Sequence, residues 1–194
     1  NFTGDGEGFA LTLDPQARAR FDWPSGFGVV HDLKLDGRIA GWREGAGWRV
    51  GTPALRVDGG DYTANVRGGL WFQNDGTRPW IDLAADLGPA PVPVAKKFWV
   101  RYQMSKPAVD WLDSALQGGT VRDGHAIASG DLDDWPFKHE NGRFEATAHI
   151  VGGQIKFNPE WPAVDRLDAD VAFIANGFSL HGRGALAGVD IGKF

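Results

Sequence analysis

Apolar and polar residues alternate with a period of two along most of this chain, and this pattern restricts its fold more than any other feature. In the segment GRFEATAHI, Phe144, Ala146 and Ile150 fall on one side, while Glu145 and Thr147 fall on the other. A period of two is the repeat of a β-strand that has one buried face. We therefore expect about ten strands, each with a single apolar face.

Short clusters of Asp, Asn and Gly separate the alternating runs, as in LDGR, VDGGD, QNDGT and ENGR. Asp-Gly and Asn-Gly are the strongest short-range signals for β-hairpins. The stretch GWREGAGW predicts a further hairpin tip, with Trp42 on one side and Trp48 on the other. Because tight turns join consecutive runs, the strands are expected to be antiparallel.

One segment departs from the two-residue period. Val109, Leu112 and Leu116 recur at helical spacing, and Ser105 is suited to cap the first turn. These signals predict a short amphipathic helix at about 105–117. One helix of this length cannot cover the apolar faces of all the strands.

Three architectures can hold such strands: a sandwich, a closed barrel, and an antiparallel sheet curled into a U-shaped open groove. Periodicity alone does not separate them. The open groove is favoured because inward positions alternate bulky residues with alanine, as at Phe144, Ala146 and Ala148. Bulky neighbours on adjacent strands would also explain that alternation.

A Pro-rich stretch, GPAPVPV at 88–94, is a possible seam between two halves of the chain. The expected organisation is an N-terminal layer of strands at 1–90, followed at 91–194 by the helix and further strands that continue the same groove. The stretch is too short to be a disordered linker. The residues 94–104 fit a strand and a helix equally well.

An acid-Trp-Pro triplet occurs three times, centred on Trp23, Trp135 and Trp161. Proline restricts the preceding residue to extended geometry and belongs at strand starts, edges or corners. We interpret the three Trp residues as structural corners that close the apolar layer. The alternative is a sugar-binding platform, on which Trp stacks and the carboxylate bonds hydroxyl groups.

Several classes of function are disfavoured by composition. The formal net charge is -5 and no run of Lys or Arg occurs, so neither nucleic acid nor an anionic membrane surface is an expected partner. The chain has no Cys, and its five His lack the spacing of a metal site. Asp168 and Asp170 share a polar strand face rather than a catalytic cleft. We expect no enzyme activity, no cofactor and no metal.

An ordered set of short motifs runs from about Val94 to His181. It comprises Trp111-Leu112, Ala115-Leu116, Gly118-Gly119, Gly130-Asp131-Leu132, Trp135-Pro136-Phe137, Gly142, Phe144, Trp161-Pro162, and a strand with Leu167, Ala169 and Phe173. In this order and with these gaps, the second half of the chain resembles the YhdP family of AsmA-like, TamB-related bacterial envelope proteins. The family often has Tyr-Leu-Pro before the helix, where this chain has Tyr102-Gln103-Met104.

The resemblance implies a periplasmic segment of a longer protein that is anchored in the inner membrane. Such proteins are long sheets curled into an open trough, along which phospholipid acyl chains slide toward the outer membrane. The remainder of the same chain is then a partner at both ends, and open sheet edges can cause a fragment to self-associate. The expected groove lining is Phe144, Ala146, Ile150, Ile155, Phe157, Leu167, Val171 and Phe173.

Two other functions are compatible with the sequence. A glycan-binding β-sandwich would use exposed Trp residues as its binding surface. A structural or assembly factor for outer-membrane proteins, a role proposed for TamB-like relatives, would engage client strands through its sheet edges. A hydrolase ranks last because no catalytic constellation supports it.

Overall fold

Twelve strands form one antiparallel sheet in the computed structural model, which describes residues 1–22, 24, 27–99, 101, 104–135, 137, 141–175 and 177–192. The strands are β1 Phe2–Gly4, β2 Gly8–Asp22, β3 Val30–Glu44, β4 Gly47–Asp58, β5 Thr63–Phe72, β6 Trp80–Leu87, β7 Ala90–Pro91, β8 Leu116–Asp131, β9 Gly142–Ile155, β10 Val164–Ile174, β11 Gly177–Leu186 and β12 Val189–Ile191. Neighbouring strands in the sheet follow the order of the chain. Of the twelve strands, only the short β7 lies off this path, and it pairs with β8. The sheet is therefore a meander, as hairpin-forming turns require.

The sheet is open rather than closed into a barrel. Within the described ranges, β1 pairs only with β2, β12 pairs only with β11, and no second sheet is formed. The solvent-accessible surface is 11660 Å², whereas a compact monomer of 21.0 kDa is expected to expose about 9,000 Å². The predicted fold class, a mainly β antiparallel sheet curled into an open form, is confirmed.

Irregular pairing within the strands bends this sheet. Register shifts lie between Leu13 and Ala17 in β2, Gly37 and Ala40 in β3, Thr52 and Leu55 in β4, and Arg122 and His125 in β8. Pro15 and Pro53 lie within two of these shifts, where proline's missing N–H removes no regular ladder hydrogen bond. A bulge bends its strand and increases the local twist, so shifts that recur across the sheet curve it.

The predicted helix is confirmed as α1, Lys106–Ala115. Its N-terminus is capped as expected, because the hydroxyl of Ser105 accepts a hydrogen bond from the Ala108 backbone N–H at 3.4 Å. The helix ends at Ala115 rather than at 117, since β8 begins directly at Leu116.

A 3-10 helix at Val92–Phe98 occupies part of the stretch that the sequence left open between strand and helix. Lysine side chains attach it to its surroundings. The Nζ of Lys96 donates to the backbone carbonyl of Asp113 at 2.6 Å, and the Nζ of Lys97 lies 2.6 Å from a carboxylate oxygen of Asp61. Tertiary contacts therefore hold this segment in place.

The sheet continues across the possible seam at 88–94. Strand β6 before the seam pairs with β8 after it, from Trp80 opposite Asp131 to Leu87 opposite Gly124. The two parts of the chain consequently share one uninterrupted hydrogen-bonded sheet.

The buried core is small and lies mostly at one end of the strands, while Phe137 is buried at the opposite end, beside Gly130 and Gly142. One cluster lies at the C-terminal end of α1 and contains Ala115, Ile155, Val164, Leu167 and Ala169. A second lies beside the 3-10 helix and contains Tyr62, Ala90 and Val94. We call this end of the sheet, with both clusters, the 3-10 helix at Val92–Phe98 and α1, the capped end; a further 3-10 helix, Leu132–Asp134, follows β8 at the other end.

Candidate functional site

One face of the sheet carries an uninterrupted row of apolar residues and glycine that crosses nine strands. Each member is paired directly with the next across the sheet. The row consists of Leu13, Gly37, Leu55, Val66, Ala85, Ala126, Ala146, Phe173 and Phe178. With about 4.8 Å between strands, it is roughly 38 Å long. We call it the apolar row.

No member of the apolar row is buried. Phe173 and Phe178 are 37% and 55% exposed, and the other members are half-buried or more exposed. Apolar side chains in a sealed two-layer core would be almost fully buried. The apolar row is therefore accessible along its whole length.

The middle of the apolar row is formed by small side chains. Ala85, Ala126 and Ala146 are successive partners on β6, β8 and β9. Larger residues, Leu83 and Phe144, lie two positions away on the same face of β6 and β9. Apart from Gly37, which has no side chain, the row is consequently lowest at its centre, because alanine projects less from the sheet than Leu, Val or Phe.

The opposite face of the same strands is polar. The row one position away consists of Asp36, Arg56, Asn65, Asp86, His125, Thr147, Ala172 and Ser179. Arg67 and His125 each approach a carboxylate oxygen of Asp86 at 2.8 Å. The hydrogen bond with His125, followed by that from Arg67, lowers the pKa of Asp86. Charged networks are thus separated from the apolar row by the thickness of the sheet.

His149 belongs to a second charged network on the polar face. Its Nδ1 lies 2.8 Å from a carboxylate oxygen of Asp170, and its Nε2 lies 3.2 Å from one of Asp168. The hydrogen bond with Asp170 raises the pKa of His149, and the charge of Asp168 adds to the effect. Among the described residues, no group of three or more His, Asp or Glu is arranged to hold a metal ion.

Three of the eight residues predicted to line a groove are buried at or near the capped end. Ile150 is 6% exposed, Ile155 is 5% exposed and Leu167 is 1% exposed. Ile155 and Leu167 belong to the cluster at the end of α1. Their low exposure shows that these three side chains take part in core packing, and their role as groove lining stays a prediction.

The other five predicted lining residues are accessible. Phe144, Ala146 and Val171 are half-buried, and Phe173 is more exposed, all on the apolar face. Phe157 is also exposed, but it lies beyond the end of β9 rather than in the sheet. The structure therefore brings four of the predicted residues together around the apolar row, and their role as lining stays a prediction.

The N-terminal half of the chain supplies members of the apolar row that sequence reasoning did not assign. They are Leu13, Gly37, Leu55, Val66 and Ala85. The signal was present, because these strands show the same two-residue alternation as the last ones. The family motifs lie in the second half of the chain, so the predicted lining residues were all placed in that half.

The predicted Trp corners have different surroundings. Trp135 lies between β8 and β9, with its ring 5.3 Å from that of Phe137 and 5.0 Å from that of Phe144. Trp161 lies between β9 and β10 and is 62% exposed, and its role as a structural corner stays a prediction. Trp23 lies outside the described residues.

No helix in the described part of the chain has the length and apolar character needed to cross a bilayer.

Comparison with known proteins indicates one family. The sequence model described as "YhdP protein" matches residues 1–193. The intermembrane phospholipid transporter YhdP of Escherichia coli strain K12 is 27% identical over 136 residues, which are 67% of this chain and 11% of that relative. The chain thus corresponds to a small part of the relative's length. No solved structure matches the chain.

Proposed function

Because this chain belongs to the YhdP family, we propose that it is a segment of a bridge-like protein that moves phospholipids between the inner and outer membranes. The segment works in the periplasm, and the full-length protein is anchored in the inner membrane. Acyl chains lie against the apolar row while headgroups stay in water beside it. Transfer of this kind involves no covalent step, so the segment acts without catalysis.

The accessible apolar row carries this proposal. It is roughly 38 Å long by strand spacing, and each of its nine members is apolar or glycine. None is sealed by a second layer within the described residues. An accessible apolar strip of this extent on a water-facing sheet is unusual and supports its use as a binding surface.

The energetic argument concerns the acyl chains. Exposing one methylene to water costs about 0.8 kcal/mol, so two chains with roughly 30 methylenes together face on the order of 20 kcal/mol. A continuous apolar surface lowers that barrier without a specific pocket. A charged side chain within the row would interrupt it, and the row contains none.

Photo-crosslinking distinguishes the two faces of the sheet at adjacent positions. A photoreactive residue is placed at Ala146 in the apolar row or at Thr147 on the polar face, in the full-length protein in cells. We expect phospholipid adducts at 146 and few at 147, and the same contrast between Ala126 and His125. Equal labelling of both faces, or labelling of 147 and 125 alone, contradicts the proposal.

A matched pair of substitutions tests whether the apolar row must remain uncharged. Ala146→Glu places a carboxylate in the row, while Ala172→Glu places one on the polar face between Thr147 and Ser179. We expect native mass spectrometry to detect less bound phospholipid for the first variant and an unchanged amount for the second. Equal lipid loss in both, at similar melting temperatures, would exclude the apolar row as the lipid surface.

A further inference from the structure

The polar face carries a feature that lipid transfer does not use. A row of large side chains crosses β3, β4, β5 and β6, and each member is the cross-strand partner of the next: Trp42, Arg49, Trp71 and Trp80. Trp42 and Trp80 are 44% and 37% exposed. Large aromatic side chains that remain exposed on a polar sheet face add little to a core and are typical of binding surfaces.

Arg49 is fixed within this row. Its Nε and Nη2 donate to the two carboxylate oxygens of Glu44 at 2.6 Å and 2.9 Å, and its guanidinium lies 5.3 Å from the centre of the Trp71 ring. The hydrogen bond from Arg49 lowers the pKa of Glu44, and the side chain of Trp42 makes a smaller contribution to the same shift. Because the network holds these side chains in place, an incoming ligand meets a preorganised wall.

A concavity of about 340 Å³ lies beside this wall, and part of its floor is bare backbone. Gly51 on β4 pairs with Gly69 on β5. On their other sides, Gly51 pairs with Ala40 on β3 and Gly69 pairs with Asp82 on β6. A Cβ at Gly69 would lie 2.3 Å from the carbonyl oxygen of Val50, so the close approach of these strands requires glycine. The floor is therefore flat, with a carboxylate at its far end.

The charges of the lining limit the kind of ligand. Arg49 and Asp82 are the charged residues that line the concavity, and the charge of Arg49 is already balanced by its ion pair with Glu44. A polyanion would gain little there. A ligand with hydroxyl groups would find an aromatic wall for its ring C–H groups, a carboxylate that accepts hydrogen bonds and a guanidinium that donates them.

We propose that this concavity binds an uncharged oligosaccharide built of pyranose rings. The sugar chain lies on the glycine floor with its ring faces toward Trp42 and its hydroxyl groups toward Asp82 and Arg49. The lining spans four adjacent strands, which corresponds to about 14 Å, so the site suits a short chain of sugars better than a single ring. The inference does not depend on lipid transfer, because the site lies on the opposite face of the sheet.

Calorimetric titration of the chain with two probes tests this proposal: the linear tetramer of N-acetylglucosamine and the linear tetramer of glucose. We expect saturable binding of at least one, and the preferred probe identifies whether N-acetyl groups matter. Trp42→Ala should weaken binding about tenfold or more, and Asp82→Asn, which keeps the side-chain shape, should weaken it about threefold to tenfold. Trp161→Ala is the matched control, since it removes an exposed Trp elsewhere, and should bind like the unchanged chain.

Melting temperatures separate a lost site from a lost fold. The Asp82→Asn variant should melt like the unchanged chain, so its affinity remains informative even if Trp42→Ala is destabilised. The absence of saturable binding of either tetramer at millimolar concentration overturns the proposal. Unchanged affinity in both Trp42→Ala and Asp82→Asn also overturns it, and lipid crosslinking at 146 should be the same in these variants.

Discussion

Strand β10 passes from the capped end to the open part of the apolar face, and its two halves have opposite surroundings. Leu167 and Ala169 are each 1% exposed, Val171 is half-buried and Phe173 is 37% exposed. All four are apolar and alternate on one face of the same strand. The cluster at the end of α1 buries the first two, while no described element covers Phe173. Burial here is decided by what lies above the strand rather than by residue type.

The capped end also holds the contacts that attach α1 to the sheet. The backbone N–H of Lys156 donates to the carbonyl of Ala115 at 2.9 Å, and the indole N–H of Trp111 donates to the carbonyl of Phe157 at 2.9 Å. These hydrogen bonds and the cluster around Ala115 hold α1 against this end of the sheet. This arrangement allows the rest of the face to stay uncovered while the sheet remains anchored.

Substitution of one leucine in each region should give the largest difference. Leu167→Ala removes a fully buried side chain and is expected to lower the free energy of unfolding by about 2–5 kcal/mol. Leu55→Ala, the same change in the half-buried apolar row, should cost about 1 kcal/mol, since less area leaves the core. Urea denaturation measures both values. Equal losses would mean that the apolar row is as well packed as the capped end.

The two described Trp corners offer a second, smaller contrast. Trp135→Ala removes the ring that packs on Phe137 and Phe144, and should lower the free energy of unfolding by about 2–3 kcal/mol. Trp161→Ala changes a largely exposed side chain and should alter it by less than about 0.5 kcal/mol. Thermal and urea unfolding of the two variants would reveal the difference, and a large loss at Trp161 would contradict its observed exposure.

The smallest expected effect concerns pH and the polar face behind β10. The pKa of His149 is raised above its ordinary value of 6.5, chiefly by its hydrogen bond with Asp170. The imidazole of His149 therefore binds its second proton more tightly in the folded state than in the unfolded chain. The resulting stabilisation is complete below about pH 6.5 and is lost as the pH rises through the higher folded pKa.

Melting temperatures measured at about pH 5.5 and pH 8.5 test this effect, because the carboxylates stay ionised throughout that window. The unchanged chain should lose a little stability at the higher pH. His149→Gln should show a weaker dependence, since it lacks the titrating group. The same pH dependence in both proteins would show that another group is responsible.

The helices illustrate how far local signals reach. Ser105 and the helical spacing of Val109 and Leu112 were sufficient to predict α1, because capping and periodicity act within a few residues. The 3-10 helix at Val92–Phe98 has no side-chain cap, and contacts with distant Asp61 and Asp113 hold it. Such contacts leave no local pattern, so the sequence could not separate helix from strand there.

By itself, the sequence determined most of the strands, their antiparallel pairing through tight turns and the single apolar face that each presents. These properties follow from alternation and turn chemistry, which are local to the backbone. Only the tertiary structure decided which part of that face is sealed. Leu167 and Phe173 follow the same pattern on one strand, but the cluster that includes Ala115 of α1 buries the first, while the second stays 37% exposed. Burial depends on which distant segment packs above a residue, and a two-residue repeat contains no information about that.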